Sequence, residues 1–424
     1  MSSPRFSVVI PTRQRADTLL YTLRTCLAQR FSSYEIVVCD NCSSVETKQT
    51  VESFKSSKIK YIRSDRPLAM SKNWELAVSH ATGEYVIVIG DDDGLLPYAL
   101  DEVNCLLEQL KVKALRWERV YYNWPNVPIG KHDNKIVIPL IRQNRIVKAR
   151  EIIPSIANSR MGYPMLPMLY NAAIHRDLIE ELRKKTGRVF GASSPDVYSG
   201  FAFAYLAKNY ASIARPMSIN AGSTKSNGYS MLWKPDSPVA QEFFSLNAEA
   251  MLGFHPRIPD IRALPAIIAD SFQHAKDVLF PDDRSLAIDR KLLAINCVKA
   301  LRPETQEEWE SSLQVILASM ADNIRLKKWF TSKLLESSPP AKYRGFDLAW
   351  RKGFDGSDLL LDATDFGVTD VFGVAELCEK ILGSDSSSSR WVETSVLQKI
   401  FRRLYHLTPN SWREVLLQNI RALI

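Results

Sequence analysis

The chain has 424 residues, 46% of them hydrophobic, and a formal net charge of +8 at pH 7. That length exceeds one ordinary domain, while no apolar run approaches the roughly 20 residues that span a bilayer. The basic residues do not cluster as in a nucleic-acid-binding protein, and six cysteines without paired spacing are typical of a reducing, cytoplasmic protein. The first apolar run is short and belongs to a predicted strand, so no signal peptide is expected.

The first hundred residues predict strands that alternate with helices. Four apolar runs of strand length lie at residues 7–10, 35–39, 59–62 and 85–89. Segments that can form helices lie between them, at residues 19–27, 45–55 and 71–79. This alternation is typical of βαβ units, so the sequence predicts an α/β domain with a mostly parallel sheet.

Polar residues follow three of these strands at the point where each strand ends. Thr12 follows the first strand, Asp40 follows the second, and three consecutive aspartates at residues 91–93 follow the fourth. Ligands bind at the carboxyl edge of such sheets, where these residues are expected to meet. Three adjacent carboxylates repel one another unless a cation lies among them, and hard oxygen ligands suit Mg²⁺ or Mn²⁺. A solvated acidic turn is the simpler alternative for an isolated triplet, but the other polar strand ends favour a ligand site.

The type of nucleotide site is constrained by missing glycine motifs. No G-x-G-x-x-G follows the first strand, and no G-x-x-x-x-G-K-[ST] occurs anywhere in the chain. A bound diphosphate would therefore need another positive partner, which a metal held by the acidic triplet would supply.

Five motifs, in this order, resemble glycosyltransferase family 2. They are SVVIPTR at residues 7–13, VCDNCSS at 38–44, SKNW at 71–74, ATGEY at 81–85, and the acidic triplet with Pro97 beyond it. The resemblance implies a GT-A fold, a Rossmann-like and mostly parallel sheet with helices, for residues 1–235. It also implies inverting transfer of a sugar from a nucleoside-diphosphate sugar, with Mn²⁺ or Mg²⁺ as the cofactor.

The same resemblance implies donor-binding roles for eight residues: Pro11, Thr12, Arg13, Arg15, Asp40, Lys72, Asp91 and Asp92. Asp40 would accept the imide proton of the base, which favours a UDP-sugar or a dTDP-sugar. Within the triplet, Asp91 would face the ribose or the sugar. Asp93 would be the direct metal ligand, with Asp92 left open as the alternative.

Asp196 is the predicted general base for an acceptor hydroxyl, which needs a proton acceptor within hydrogen-bond reach. It follows Pro195 at the start of a predicted helix, where the helix dipole would keep the carboxylate ionised. The family places its acceptor-side base in such a first turn, while a purely structural helix cap is the alternative. The small-residue loop at residues 222–228 resembles the loop that closes the family's active site, and a simple linker is the other interpretation.

Beyond residue 235 the sequence becomes mainly helical. Residues 236–383 predict a mainly α-helical C-terminal domain, although residues 353–374 have the composition of a loop. A serine-rich linker at 384–389 precedes a basic amphipathic helical tail at 390–424. The tail fits peripheral docking on the inner face of an anionic membrane, or packing on the catalytic domain or on a second copy of the chain.

The sequence thus predicts a metal-dependent glycosyltransferase that acts on a hydroxyl of a glycan or a lipid-linked acceptor, in cell-surface polysaccharide synthesis. A nucleotidyltransferase that makes activated sugars would need a glycine-rich loop after the first strand, which is missing. The alternative is a non-catalytic sugar-nucleotide-binding or scaffold protein of a glycan assembly complex.

Overall fold

The computed structural model describes residues 3–125, 127, 132–233, 236–302, 305–334, 352–383, 400 and 403–404. In these residues no helix combines the length and the apolar character that a membrane crossing requires. The first elements are β1 (Phe6–Thr12), α1 (Ala16–Leu27), β2 (Tyr34–Asp40), α2 (Val45–Ser53), β3 (Ile59–Arg63), α3 (Met70–Ser79) and β4 (Tyr85–Val88). All of them lie where the sequence predicts strands and helices.

The sheet and its helices continue with β5 (Gly94–Leu95), α4 (Ala99–Leu110), β6 (Ala114–Asn123), β7 (Lys135–Pro139), β8 (Arg145–Lys148), α5 (Ala149–Ala157), β9 (Ala172–His175), α6 (Arg176–Thr186), α7 (Pro195–Ala207), β10 (Asn209–Gly222) and α8 (Asn227–Trp233). The elements after them are α9 (Pro238–Glu249), α10 (Leu264–Leu279), α11 (Arg290–Ala300), α12 (Gln306–Ala318), α13 (Ile324–Lys333), β11 (Gly353–Phe354), β12 (Asp358–Asp362) and α14 (Val371–Leu382). Short 3₁₀ turns occur at Tyr163–Met165, Leu169–Asn171 and Ala363–Phe366.

These strands form one mixed sheet in the order β11-β12-β7-β6-β9-β4-β1-β2-β3. The half that contains β1 to β4 is parallel, because a helix connects each strand to the next. In the other half β9 runs antiparallel to its neighbours β4 and β6, while β10 runs parallel to β6. The fold is the predicted α/β class, with a mixed sheet whose N-terminal half is parallel, followed by a helical region.

Helices cover both faces of the sheet, as the sequence of β1 requires. Every residue of this strand is buried, which is typical of a central parallel strand. Val8 and Ile10 pack in one hydrophobic cluster with Leu19 of α1, whereas Val9 packs in a second cluster with Trp74 of α3. Alternate side chains of β1 therefore pack against helices on opposite faces of the sheet.

The helices from α10 to α13 form a third cluster that is joined to the second. Trp309, Leu313 and Ile316 of α12 are buried in it, as their helical spacing predicts. On α10 the Phe272 ring belongs to the second cluster, 5.2 Å from the Phe201 ring centroid. The helical region is thus packed directly against the α/β domain.

Residues 353–383 return to the sheet, which corrects the prediction of a loop at residues 353–374. β12 pairs antiparallel with β7, and its Leu359 and Leu361 are fully buried. The apolar run of β12 is only three leucines long, at residues 359–361, and Gly and Asp residues surround it, so the segment has the composition of a loop. Because this segment packs with the N-terminal core, the helical region in the structure ends before residue 353.

The predicted linker at 384–389 lies outside the described residues, as does the predicted tail at 390–424 apart from residues 400, 403 and 404. Ile400 and Leu404 are buried in the first cluster, and Arg403 donates a 2.8 Å hydrogen bond to the Leu382 carbonyl. This part of the tail therefore packs on the α/β domain.

Candidate functional site

A cavity of about 680 Å³ opens at the carboxyl ends of the parallel strands. Thr12 after β1, Asn41 after β2 and Asp91 after β4 all line it. The start of α7 contributes Asp196 to the opposite side, and α9 contributes Phe243. Residues that are distant in the sequence therefore meet at the sheet edge that the strand ends predict.

Asp91 is held by the loop that follows β1. The Thr12 hydroxyl donates to Asp91 Oδ2 at 2.6 Å, and Arg15 Nη1 donates to Oδ1 at 2.7 Å. Burial raises the pKa of the Asp91 carboxyl, although the Arg15 charge opposes that shift. The predicted donor residues Pro11, Thr12, Arg13 and Arg15 all line the cavity.

Asp92 is bound by the loop after β10. The Ser223 and Ser226 hydroxyls both donate to Asp92 Oδ2 at 2.6 Å. The same loop accepts a hydrogen bond from Arg15 at the Lys225 carbonyl. Residues 223–226 are therefore folded over the acidic triplet, the position predicted for a closing loop.

Asp93 points away from the cavity and supports the local turn. Its Oδ2 accepts from the Gly90 backbone N–H and its Oδ1 from the Ala221 backbone N–H, both at 2.7 Å. A Cβ on Gly90 would lie 2.8 Å from Asp93 Oδ2, so the Asp93 side chain can fold back onto residue 90 only where that residue is glycine. Burial and the neighbouring Asp92 charge raise the pKa of Asp93 to about 7. Asp91 and Asp92 lie on the cavity wall, and Asp93 does not.

The donor atoms of the triplet suit a hard divalent cation only in part. In the part of the chain that the structure describes, no three His, Cys, Asp or Glu side chains form a group that could hold a metal ion. No described residue donates a hydrogen bond to Asp92 Oδ1, whereas both Asp91 oxygens are engaged. A Mg²⁺ or Mn²⁺ ion held here by Asp92 would need oxygens of a ligand and water to complete its coordination.

Two of the predicted donor residues lie away from the cavity wall. Asp40 is fully buried; its Oδ1 accepts from the Ser43 N–H at 2.9 Å and its Oδ2 from the Tyr61 hydroxyl at 2.6 Å. Lys72 is exposed, while its neighbours Asn73 and Trp74 line the cavity. One residue along a helix rotates the side chain by about 100°, which turns Lys72 outward.

Asp196 lies in the first turn of α7, where Pro195 opens the helix as predicted. It lines the cavity and is partly buried. Burial raises the pKa of the Asp196 carboxyl, and the Val197 N–H and the Arg119 charge oppose the shift without cancelling it. Burial therefore affects the pKa of this carboxyl more than the hydrogen bond and the charge that favour its ionised form.

Arg119, Tyr163 and Tyr170 line the same cavity as Asp196, although no pattern in the sequence predicted them. Arg119 lies on β6 and is 4% exposed, with its guanidinium carbon 5.3 Å from the Tyr170 ring centroid. The Tyr170 hydroxyl accepts a 2.8 Å hydrogen bond from the Asn220 amide. Arg119 is one of three charged residues in β6, and the sequence does not indicate which of them faces the cavity.

The helical region also contributes to the cavity through α9. Arg13 Nε donates to Glu242 Oε2 at 3.0 Å, and Phe243 and Leu246 line the cavity beside it. The predicted boundary near residue 235 therefore passes through the wall of the site.

Three comparisons relate the chain to known proteins. A family model described as "Glycosyl transferase family 2" matches residues 7–182. A GalNAc(5)-diNAcBac-PP-undecaprenol beta-1,3-glucosyltransferase of Campylobacter jejuni is 30% identical over 122 residues, 25% of this chain and 40% of the relative. A UDP-Glc:alpha-D-GlcNAc-diphosphoundecaprenol beta-1,3-glucosyltransferase of Escherichia coli is 22% identical over 125 residues, 30% of this chain and 47% of the relative. The matched segments thus span less than half of each relative.

Among solved structures, residues 1–349 of TarS from S. aureus in complex with UDP-GlcNAc are similar at a TM-score of 0.45. The sequence identity is 17%, and the match covers 76% of this chain and 82% of that chain.

Proposed function

Because residues 7–182 belong to glycosyltransferase family 2, we propose that this protein transfers a sugar from a nucleoside-diphosphate sugar to a hydroxyl group of a glycan or a lipid-linked acceptor. The observation that carries the proposal is that Asp91 and Asp92 of the acidic triplet line the same cavity as Asp196. The undecaprenol-diphosphate-linked glycans in the names of the relatives support an acceptor of this class.

The donor wall consists of Thr12, Arg13, Arg15, Asp91 and Asp92. We assign the diphosphate to this wall because Arg13 and Arg15 supply positive charge there. The sequence offers no glycine-rich phosphate-binding loop that could hold the diphosphate instead. Asp92 is the favoured direct metal ligand, since its Oδ1 accepts no hydrogen bond from a described residue while backbone N–H groups engage both oxygens of Asp93. A bound Mn²⁺ or Mg²⁺ would act as a Lewis acid on the departing diphosphate.

The acceptor wall consists of Arg119, Tyr163, Tyr170 and Asp196. In the proposed reaction, Asp196 removes the proton from the acceptor hydroxyl as that oxygen bonds to the anomeric carbon. The bond from the anomeric carbon to the diphosphate oxygen breaks, and the electron pair leaves with the nucleoside diphosphate. Attack from the side opposite to the leaving group inverts the anomeric configuration.

We propose that the donor is a nucleotide sugar whose base carries an imide, a UDP-sugar or a dTDP-sugar. The UDP-glucose in the name of the Escherichia coli relative supports UDP. Asp40 would contact the imide only by exchanging its hydrogen bond with Tyr61, whereas Asn41 already lies on the cavity wall. No donor contact is proposed for the exposed Lys72.

Calorimetric titration of UDP, dTDP, GDP and CMP, each with Mn²⁺ and with EDTA, tests the donor site. Metal-dependent binding of UDP or dTDP is the expected result. A screen of UDP-sugars for nucleotide release with glycan and lipid-linked acceptors then tests transfer. Binding without transfer would favour the scaffold alternative, and failure of all four nucleotides would refute the donor site.

A further inference from the structure

Arg119 is a buried cation without an ion-pair partner among the residues that the structure describes. Its side chain lies on the cavity wall and is 4% exposed. Of the residues that the structure describes, none forms an ion pair or a hydrogen bond with the guanidinium. Two aromatic rings hold it instead, with centroids 5.6 Å away at Tyr121 and 5.3 Å away at Tyr170.

The other buried arginines on these strands are compensated by carboxylates. Arg116 on β6 pairs with Glu118 at 2.7 Å, and Arg215 on β10 pairs with Glu102 at 2.8 Å. Each of these two arginines is 1% exposed. A buried charge is costly unless a partner neutralises it, so the exception at Arg119 calls for a charge from outside the chain.

No neighbouring acid pairs with Arg119 at contact distance, since Asp196 interacts with its charge but forms neither an ion pair nor a hydrogen bond with it. Burial raises the pKa of the Tyr163 and Tyr170 hydroxyls above their ordinary value, so both rings stay neutral near pH 7. The Asp93 carboxylate is occupied by the Gly90 and Ala221 backbone N–H groups. Cation–π contacts hold the guanidinium but leave its N–H groups available for a carboxylate or a phosphate oxyanion.

The position of Arg119 separates it from the proposed diphosphate site. Arg13 and Arg15 lie on the loop after β1, whereas Arg119 lies on β6, where its charge opposes the rise that burial causes in the pKa of Asp196. The acceptor hydroxyl and the transferred sugar would meet at Asp196, so a charge near Arg119 belongs to one of these two groups.

We propose that Arg119 binds a carboxylate or a phosphate group that one of the two substrates carries in addition to the donor diphosphate. This inference rests on the proposed function. The source is either a uronic acid carboxylate on the donor sugar or an anionic group on the acceptor beside its attacking hydroxyl. Arg119 is then a specificity-determining residue that selects a charged substrate over a neutral one.

Three titrations of the full chain test this, with Arg119→Gln against the unmodified protein. The first uses UDP with Mn²⁺, the second compares UDP-glucuronate with UDP-glucose, and the third adds inorganic phosphate with and without saturating UDP. Arg150→Gln is the matched control, because Arg150 is an exposed arginine paired with Asp283 on the outside of α5.

We expect UDP affinity to be equal in both proteins. A donor-sugar anion gives at least a tenfold preference for UDP-glucuronate that Arg119→Gln abolishes, while an acceptor anion gives phosphate binding that Arg119→Gln abolishes. Absence of both effects in the unmodified protein overturns the proposal, and so does a loss of UDP affinity in Arg119→Gln as large as in Arg15→Gln. If UDP fails to bind the unmodified protein, the proposed function fails, and the phosphate titration still decides the role of Arg119.

Thermal unfolding provides a second readout that separates binding from a structural role. Arg119→Gln removes an uncompensated buried charge, so its Tm should equal or exceed that of the unmodified protein. Arg215→Gln leaves Glu102 buried without its partner and should lower the Tm. A comparable fall in both variants would assign Arg119 a structural role and overturn the proposal.

Discussion

The donor wall and the acceptor wall of the cavity differ in whether their charged side chains are paired. On the donor wall the charged side chains already pair with one another, Arg15 with Asp91 and Arg13 with Glu242. On the acceptor wall Arg119 has no ion-pair partner within the described part of the chain, and the Asp196 carboxyl has a raised pKa. The donor wall is therefore organised before a ligand binds. On the acceptor wall, a substrate would supply the interaction partners of Arg119 and Asp196.

The largest effect should come from Asp196→Asn, which breaks the acceptor wall and leaves the donor wall intact. A general base contributes about 10²- to 10⁴-fold to a rate, so transfer should fall by that factor. Nucleotide release measures transfer, and calorimetry should give an unchanged UDP affinity. Asp177→Asn is the control, because Asp177 also lies in the first turn of a helix but is exposed at α6. An equal loss of donor affinity in Asp196→Asn would show that the two walls are not separate.

Asp92→Asn should give the next largest effect by breaking the donor wall. Loss of a metal ligand should weaken Mn²⁺-dependent UDP binding at least tenfold, about 1.4 kcal/mol. The measurement is the ratio of the UDP dissociation constants with EDTA and with Mn²⁺. Asp93→Asn, with its Tm checked, should preserve more of that ratio because Asp93 is engaged by backbone N–H groups. The reverse result would restore Asp93 as the metal ligand.

The pH dependence of transfer should sharpen the comparison further. Asp196 acts only when it is deprotonated, so kcat/KM should fall as the pH drops through its pKa. Because burial raises that pKa, the acidic limb should lie above the ordinary aspartate value of about 3.9. UDP binding by Asp196→Asn at each pH separates this limb from titration of the donor wall. An acidic limb at or below the ordinary value would contradict the assignment of Asp196 as a buried base.

The smallest effect should follow Glu242→Gln, which removes the contact between α9 and the donor wall. Glu242 is about half exposed, and such pairs contribute less than about 1 kcal/mol. UDP affinity should therefore change by less than about fivefold. Calorimetry checks this, with Glu249→Gln on the same helix as the control. A larger loss would show that α9 is an essential part of the donor wall.

The donor wall could be predicted from the sequence because each strand end places consecutive residues at one known edge. Thr12 and Asp91 meet there through parallel pairing alone. Arg119 could not be predicted, since β6 carries three charged residues and their pairing depends on the neighbouring elements. Asp40 lies near the edge as predicted, but the Tyr61 hydroxyl that covers it comes from the adjacent strand. The local sequence determines that these residues lie near the sheet edge, but it does not determine whether their side chains are exposed to the cavity.

The pairing of β12 with β7 has a consequence for the order in which the molecule forms. Arg142, just after β7, bonds Asp358 at the start of β12 across 216 residues of chain. At about 5–20 residues per second of synthesis, the β7 edge waits roughly 10 to 45 s for its partner strand. An open strand edge is a template for pairing with other chains during that interval. Polypeptides that stop before β12 should therefore aggregate, even though all of the cavity residues discussed above have already been made.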